Sequence, residues 1–501
     1  MFFRLLACLA IFYIAAKVLY RRYFHPLRKY PGPVFAALTS WYEAYYNIIK
    51  RGNLVVELER LHNLYGPVIR IGPNTLHFNY RRAYQDIYTN GSTLVKDQEF
   101  YHSAVSHAPQ GSVGLCDRQE SKSRRTILGP LFSRRAILDL EYTIQEKINI
   151  LMTLLENHHN SPTTSVQMSA AYRSLTIDII TSYCFAESTN SLASGFGNYE
   201  QKSIQENLNR LWIQRHFPFL ISFVSIAPQK LIIWLFPDFN SFVEMSAQYE
   251  RQIDYLTNNP EDFSKVENET IYHHLLHPKV RERPSKTALI QEAITLVGAG
   301  SDTVGNACTV GTFYALKNPA IYQKLVEELC EAWPDKDRPL SYTTLEKLPY
   351  LTAFIKETLR FSIGVIHPLP RVVGPATPEV GGLKLPPGTI VEMSTLFLHM
   401  NPDVFPDPTT FNPDRWLDEN STNEMMQDLA PFSKGPRMCL GINLAWCELY
   451  LILGNVFRKL NMSLPDSNKD MIADYCHWDH VDYFSTQWQG DYEVFVQKIT
   501  E

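Results

Sequence analysis

From Ser285 to Lys317 the chain runs for more than thirty residues with helical periodicity and no proline, and Asn318-Pro319 ends the run. A helix rises about 1.5 Å per residue, so a segment this long crosses a whole domain, and the rest of the chain must pack around it. No Gly/Ser-rich or low-complexity linker interrupts the sequence, which predicts one large catalytic domain. An amphipathic helix is predicted from Pro349 to Phe361, with the proline tolerated in its first turn, and another from just after Cys439 through Phe457, with Gly441 at its start. Val68 to Phe78 places apolar residues on either side of a Gly-Pro-Asn turn and reads as a small hairpin. From about Ala83 to Met462 helical periodicity dominates, with short strands expected only in the last third, so the fold class is mainly α with a minor β part.

Phe2 to Tyr20 is mostly apolar and long enough for a single bilayer crossing, and Arg21, Arg22, Arg28 and Lys29 follow it. Basic residues on that side place the main domain in the cytosol. A small-residue cleavage pattern is absent, which favours an anchor over a removed signal peptide. Phe24 to Pro33 contains Pro26, Pro31 and Pro33, which oppose helix and favour an extended path. The expected organisation is an anchor at 1–22, a proline-containing hinge at 23–33 and a catalytic domain at 34–501. The Asn-x-Ser/Thr sequons at Asn90, Asn268, Asn420 and Asn461 then face the cytosol and are chance matches.

With 47 basic against 52 acidic residues, the chain has no global positive field, which argues against nucleic acid as a partner. Eight cysteines scattered from Cys8 to Cys476 without a CxxC read as reduced thiols. Cys439 differs from the others by its setting, FSKGPRMCLG from Phe432 to Gly441, just before a predicted helix. Backbone N–H groups and the helix dipole stabilise a thiolate at such a position. Gly435 and Gly441 permit close backbone approach, and Arg437 suits a bidentate pair with a carboxylate.

Two further groups of residues agree with this loop. Glu357 and Arg360 lie three apart on one helical face, and Arg415, in FNPDRW, follows before the cysteine loop. In the middle of the long helix stands AGSDT, Ala299 to Thr303. Gly298-Ala299-Gly300 is not a dinucleotide fingerprint, because no strand precedes it and no helix starts there. A threonine hydroxyl in a helix can bond back to the carbonyl one turn earlier, and glycine at that turn tolerates the local opening.

In order and spacing these motifs resemble the cytochrome P450 family: F-x-x-G-x-R-x-C-x-G at 432–441, the Glu-x-x-Arg helix with its meander arginine, and A/G-G-x-D/E-T in the long helix. The resemblance covers nearly the whole chain and implies the cytochrome P450 fold with one N-terminal transmembrane helix. It implies haem b, iron protoporphyrin IX, with Cys439 as the metal ligand. Phe432, Gly435, Gly441 and Ala299 would border the cofactor, and Arg437, Arg371 and Arg125 would pair with its propionates. Four residues before Arg125 the family usually has an aromatic or histidine, whereas this chain has Ser121, so one expected propionate partner is missing. Thr303 and Asp302 would be catalytic, steadying iron-bound oxygen and relaying protons to it, whereas Glu357, Arg360 and Arg415 would be structural.

YRRYFHPLRKYPGP, YGPVIRIGPNTLHF and FPDPTTFNPDRW look like microsomal enzymes of filamentous fungi, and the N-terminal third is similar to the trichodiene oxygenase group. This implies the endoplasmic reticulum membrane and an apolar, terpenoid-like substrate. No second module able to hold flavin is evident, so electrons are expected from NADPH-cytochrome P450 reductase, docked on Lys122, Arg124, Arg134, Arg135 and Lys434. Phe217 to Pro237 is expected to dip into the membrane surface near a substrate entrance or to pack in the core, and Val365-Ile366 to contact substrate. The expected function is a monooxygenase. The alternatives are an isomerase or dehydratase that does not use dioxygen, against which Asp302 and Thr303 argue, and a non-catalytic haem protein.

Overall fold

The long helix spans Lys286–Lys317, and its 32 residues extend about 48 Å. The Ser285 hydroxyl caps it by accepting from the Ala288 N–H at 3.2 Å. At its other end the Asn318 side chain accepts from the Ala320 N–H at 3.2 Å and so starts the helix Pro319–Ala332. The computed structural model describes residues 2–89, 92–104, 108–158, 165–196, 210–220, 226–237, 239–259, 269–276, 283–376, 379–465, 480–483, 485–488 and 493–498.

The main neighbour of the long helix is Met168–Phe185, and small residues set how closely the two pack. A Cβ at Gly300 would lie 2.7 Å from Ile180 Cγ1, and one at Gly305 would lie 3.1 Å from Arg173 Cγ. A methyl group at Gly300 would displace Ile180, and one at Gly305 would press tightly on Arg173, so both glycines favour the close approach of the two helices. The helix Pro349–Ser362 packs on the long helix through aromatic side chains. Tyr314 stacks on Phe411 with centroids 4.6 Å apart, and Phe361 meets both rings edge-on. Such pairs add roughly 0.5–1.5 kcal/mol each beyond area burial, which stiffens the junction between the two helices and the segment leading to the cysteine loop.

The larger sheet runs in the order Val68–Arg70, Thr75–Phe78, Ile390–Glu392, Arg371–Val372, Val95–Lys96. The expected hairpin is its first antiparallel pair, and its last pair sets Lys96 opposite Arg371. A second sheet joins Val166–Gln167, Glu493–Lys498 and Leu460–Ser463, and a hairpin pairs His480–Tyr483 with Ser485–Trp488. Strands are thus not confined to the last third. Val95–Lys96 and Val166–Gln167 are two residues long and pair with distant segments, too short to leave a period in the sequence.

At the N-terminus, Phe2–Leu19 is helical and a wider turn carries the helix to Phe24, with no residue buried. Its mean hydropathy of 2.0 and its length suit a bilayer crossing. The hinge is less extended than expected. Pro26–Lys29 forms one 3-10 turn, in which the proline sits at the first position and His25 Nδ1 accepts from the Leu27 N–H at 3.1 Å.

Candidate active site

The cysteine loop is closed by the Cys439 N–H, which donates to the Phe432 carbonyl at 2.8 Å. Gly435 makes the turn with φ +71°, and a Cβ there would stand 2.2 Å from the Tyr88 carbonyl oxygen, so only glycine fits. Gly441 differs: it precedes the helix Ile442–Lys459 with φ −87°, and a Cβ there would meet no described protein atom. Phe432 packs at 6.1 Å from the Trp446 ring, which joins the start of the loop to that helix. Cys439 is exposed along one side, yet the protein crowded around its sulfur raises the thiol above its ordinary pKa, while the Gly441 N–H and the Arg125 guanidinium work in the opposite direction.

Arg125 donates to the Met438 carbonyl at 2.9 Å, one residue before the cysteine. It borders a cavity of about 360 Å³ that Arg371, Arg437 and Lys96 also line. Among the described residues no Asp or Glu lines it. Arg371 is buried and donates to the Tyr101 hydroxyl at 2.8 Å. Arg437 bonds to the Ser121 hydroxyl and to the Asp117 carbonyl at 3.2 Å, so Ser121, which leaves the family's usual side chain missing, instead anchors an arginine. Burial, then the neighbouring Arg371 and Arg125, lowers Arg437 to about 10.

Behind the loop, the fully buried Glu357 is the hub of a cluster. Its carboxylate accepts from Arg360 at 2.8 and 2.9 Å, Arg415 at 3.1 Å, Trp416 Nε1 at 2.8 Å and the Asn412 N–H at 2.9 Å. Each desolvated charge is answered by several hydrogen bonds, the condition under which a buried ion cluster is tolerated. Arg360 extends the network to the His399 carbonyl at 2.8 Å. The His399 ring then bridges the Arg360 carbonyl at 3.0 Å and the Ala430 N–H at 2.9 Å, two residues before Phe432. The Glu-x-x-Arg helix thereby holds the entry to the cysteine loop.

On the long helix, the Thr303 hydroxyl donates to the Ala299 carbonyl at 2.9 Å, the back-bond expected one turn earlier. A Cβ on Gly364 would lie 3.7 Å from Thr303 Cβ, so the segment after the Glu-x-x-Arg helix passes next to the threonine. The Ile363 carbonyl in that segment accepts from the Thr486 hydroxyl at 2.6 Å. Asp302 is buried and ion-paired to Arg173 of the neighbouring helix, with Nε to Oδ1 at 2.8 Å.

The motif residues thus fall into three groups, one around Cys439, one around Glu357 behind the loop and one around Thr303. Sequence reasoning missed Lys96, Arg173 and His399, none of which stands in a spaced pattern. It also misplaced Arg124, which is buried in an ion pair with Glu292 and cannot belong to an exposed docking face. Lys122, Arg134 and Arg135 are exposed, whereas Lys434 is half-buried and donates to the Gln427 carbonyl. In the Phe217 to Pro237 stretch, residues 221–225 lie outside the described residues, while Phe219, Ile226, Trp234 and Phe236 are exposed. Trp41, on the segment after the hinge, meets the Phe217 ring edge-on at 5.6 Å.

The family model described as Cytochrome P450 matches residues 37–475. Among curated proteins the chain is similar to a cytochrome P450 monooxygenase of Sordaria araneosa, 34% identical over 92% of each chain. It is also similar to a tryptophan 6-hydroxylase of Fusarium equiseti, 33% identical over 93% of this chain and 91% of that protein. A conidiogenone synthase of Penicillium rubens is 34% identical over 92% of each chain.

Proposed function

This chain belongs to the cytochrome P450 family, and from that premise we propose that it is a haem-thiolate monooxygenase that hydroxylates or otherwise oxidises an apolar small molecule, a terpenoid or related intermediate of fungal secondary metabolism. The observation that carries the reading is the cavity beside the cysteine loop, whose charged lining is cationic throughout. Cations gathered in a partly buried site without counter-charge call for an anionic guest, and the two propionates of haem b fit that demand. Cys439 would hold the haem iron through its thiolate. Arg437, Arg371 and Arg125 would hold the propionates, and Phe432, Gly435, Gly441 and Ala299 would border the ring.

When bound, such a haem supplies the activation of dioxygen and the transfer of one oxygen atom to a C–H bond. The chain itself supplies positioning and protons. The Thr303 hydroxyl spends its own proton on the Ala299 carbonyl, so its lone pairs face outward to accept a hydrogen bond from water or substrate. Asp302, one residue earlier, would pass protons toward that hydroxyl, and Arg173 fixes where its carboxylate points. Val365-Ile366, directly after the Gly364 that lies beside Thr303, would border the substrate.

Residues 1–22 would anchor the protein in the endoplasmic reticulum membrane, with 23–33 as hinge and 34–501 as the cytosolic domain. The exposed apolar helix supports this. Trp234, Phe236 and Ile226, exposed in a stretch whose Phe217 touches Trp41, support a second contact with the lipid surface. NADPH-cytochrome P450 reductase would deliver electrons on a basic face that keeps Lys122, Arg134 and Arg135.

The test is product analysis in membranes containing the protein and a fungal reductase, supplied with NADPH, isotopically heavy dioxygen and a panel of terpene and polyketide precursors. Heavy oxygen in a product, abolished by Cys439→Ala, is expected. A precursor converted without NADPH and without label would replace the monooxygenase reading with that of an isomerase or dehydratase.

A further inference from the structure

Lys96 and Arg371 are direct partners in the antiparallel pair of Val95–Lys96 with Arg371–Val372. Like charges directly opposite one another across strands destabilise a sheet. Here both side chains are buried, which raises the cost further. Lys96 Nζ donates to the Val113 carbonyl at 2.6 Å and stands 4.2 Å over the Tyr101 ring, whose hydroxyl accepts from Arg371. A carbonyl and a ring face offset part of a desolvated ammonium but bring no negative charge. Both cations line the cavity in which no acidic side chain is found among the described residues.

We propose that Lys96 and Arg371 form a cross-strand clamp on one haem propionate, so that Lys96 supplies the partner missing at Ser121. This rests on the haem reading above. Lys96 has two N–H donors beyond the one used on Val113, and a carboxylate between it and Arg371 would take one of them, turning a repulsive pair into two charge-assisted hydrogen bonds. Arg437, drawn toward Ser121 and the Asp117 carbonyl, is then free to serve the other propionate from one edge only. Lys96 is a binding residue for the cofactor and takes no part in proton transfer.

The test uses the purified holoenzyme with Lys96→Met and Lys96→Arg. Haem loss to excess apomyoglobin is followed by absorbance, and the ferric/ferrous potential by spectroelectrochemistry. Lys96→Met is expected to lose haem roughly tenfold faster, the scale of one charge-assisted hydrogen bond. Its potential should be lower, because removing a nearby positive charge favours the ferric state, and Lys96→Arg should restore both. Wild-type haem loss and potential in Lys96→Met would overturn the clamp, as would a faster loss that Lys96→Arg does not reverse. A purified wild-type chain that carries no haem, or whose haem lacks a thiolate spectrum, would instead sink the haem reading itself.

Discussion

Arg173 Nε lies 2.8 Å from Asp302 Oδ1, so the acid next to Thr303 is tied to the helix Met168–Phe185. Gly305 makes this possible by letting the Arg173 backbone approach the long helix closely. If Asp302 relays protons, its aim depends on a residue that touches no substrate. Asp302→Asn is predicted to slow product formation by roughly 100-fold or more, the range of general acid–base loss. Arg173→Met should give a smaller loss with an enlarged solvent isotope effect and more NADPH consumed per product. Wild-type coupling and isotope effect in Arg173→Met would make the pair purely structural.

The Glu357 cluster predicts a stability phenotype. Arg415→Leu would leave part of a fully buried carboxylate uncompensated, and breaking such a pair costs about 3–5 kcal/mol. The expected outcome is a sharply lower thermal midpoint and loss of the thiolate-bound haem spectrum. Arg360→Lys should be nearly as damaging, because one ammonium cannot serve Glu357, the His399 carbonyl and the Pro408 carbonyl together. Midpoints within a few degrees of wild type would refute the cluster's role.

The two glycines of the cysteine loop should behave differently. Gly435→Ala combines a left-handed backbone with a Cβ driven into the Tyr88 carbonyl, a penalty of at least about 1–2 kcal/mol. Gly441→Ala meets no described protein atom, and its penalty should appear in haem binding more than in the stability of the fold. Equal losses of thermal stability in the two variants would contradict this division.

A buried histidine pair predicts a pH dependence. His62 Nδ1 donates to the Gly66 carbonyl at 2.8 Å, His77 Nδ1 donates to His62 Nε2 at 2.7 Å, and His77 Nε2 accepts from the Ser394 N–H at 3.2 Å. The carbonyl at one end and the N–H at the other dictate both tautomers and require neutral rings. Burial lowers His62 to about 4 and takes His77 well below its ordinary value. With native values depressed, the unfolded chain binds protons that the native state refuses as pH falls below about 6.5. Stability from this pair is therefore full above that pH and declines toward pH 4, by up to about 1.4 kcal/mol per unit and per ring. Urea midpoints at pH 7.5, 6 and 5 should fall in wild type and fall less in the His62→Gln/His77→Gln double variant. A flat wild-type profile would contradict the assignment.

Much of the site is legible in the sequence, because its parts are local in the chain. Phe432, Gly435, Arg437, Cys439 and Gly441 lie within ten residues, and the Thr303 back-bond to Ala299 follows from helical geometry alone. The ends of the long helix were equally legible, since Ser285 and Asn318 cap it and Pro319 forbids its continuation. Lys96 and Arg124 were not. Nothing in LVKD or KSRR says that one lysine will face a cation cavity or that one arginine of a basic run will turn inward to Glu292.

By itself, then, the sequence determined the family, the thiol that would hold the metal, the helix that carries Asp302 and Thr303, and an apolar segment able to cross a bilayer. Short-range spacing, capping and hydrophobic period are properties of adjacent residues, and they survive without a fold. Only the tertiary structure decided which charges meet. The register that sets Lys96 against Arg371, the close helix crossing that brings Arg173 to Asp302, and the inward turn of Arg124 each join residues more than 100 positions apart. Such pairings follow from how whole elements pack, and their energies arise from desolvation, which no isolated stretch of sequence contains.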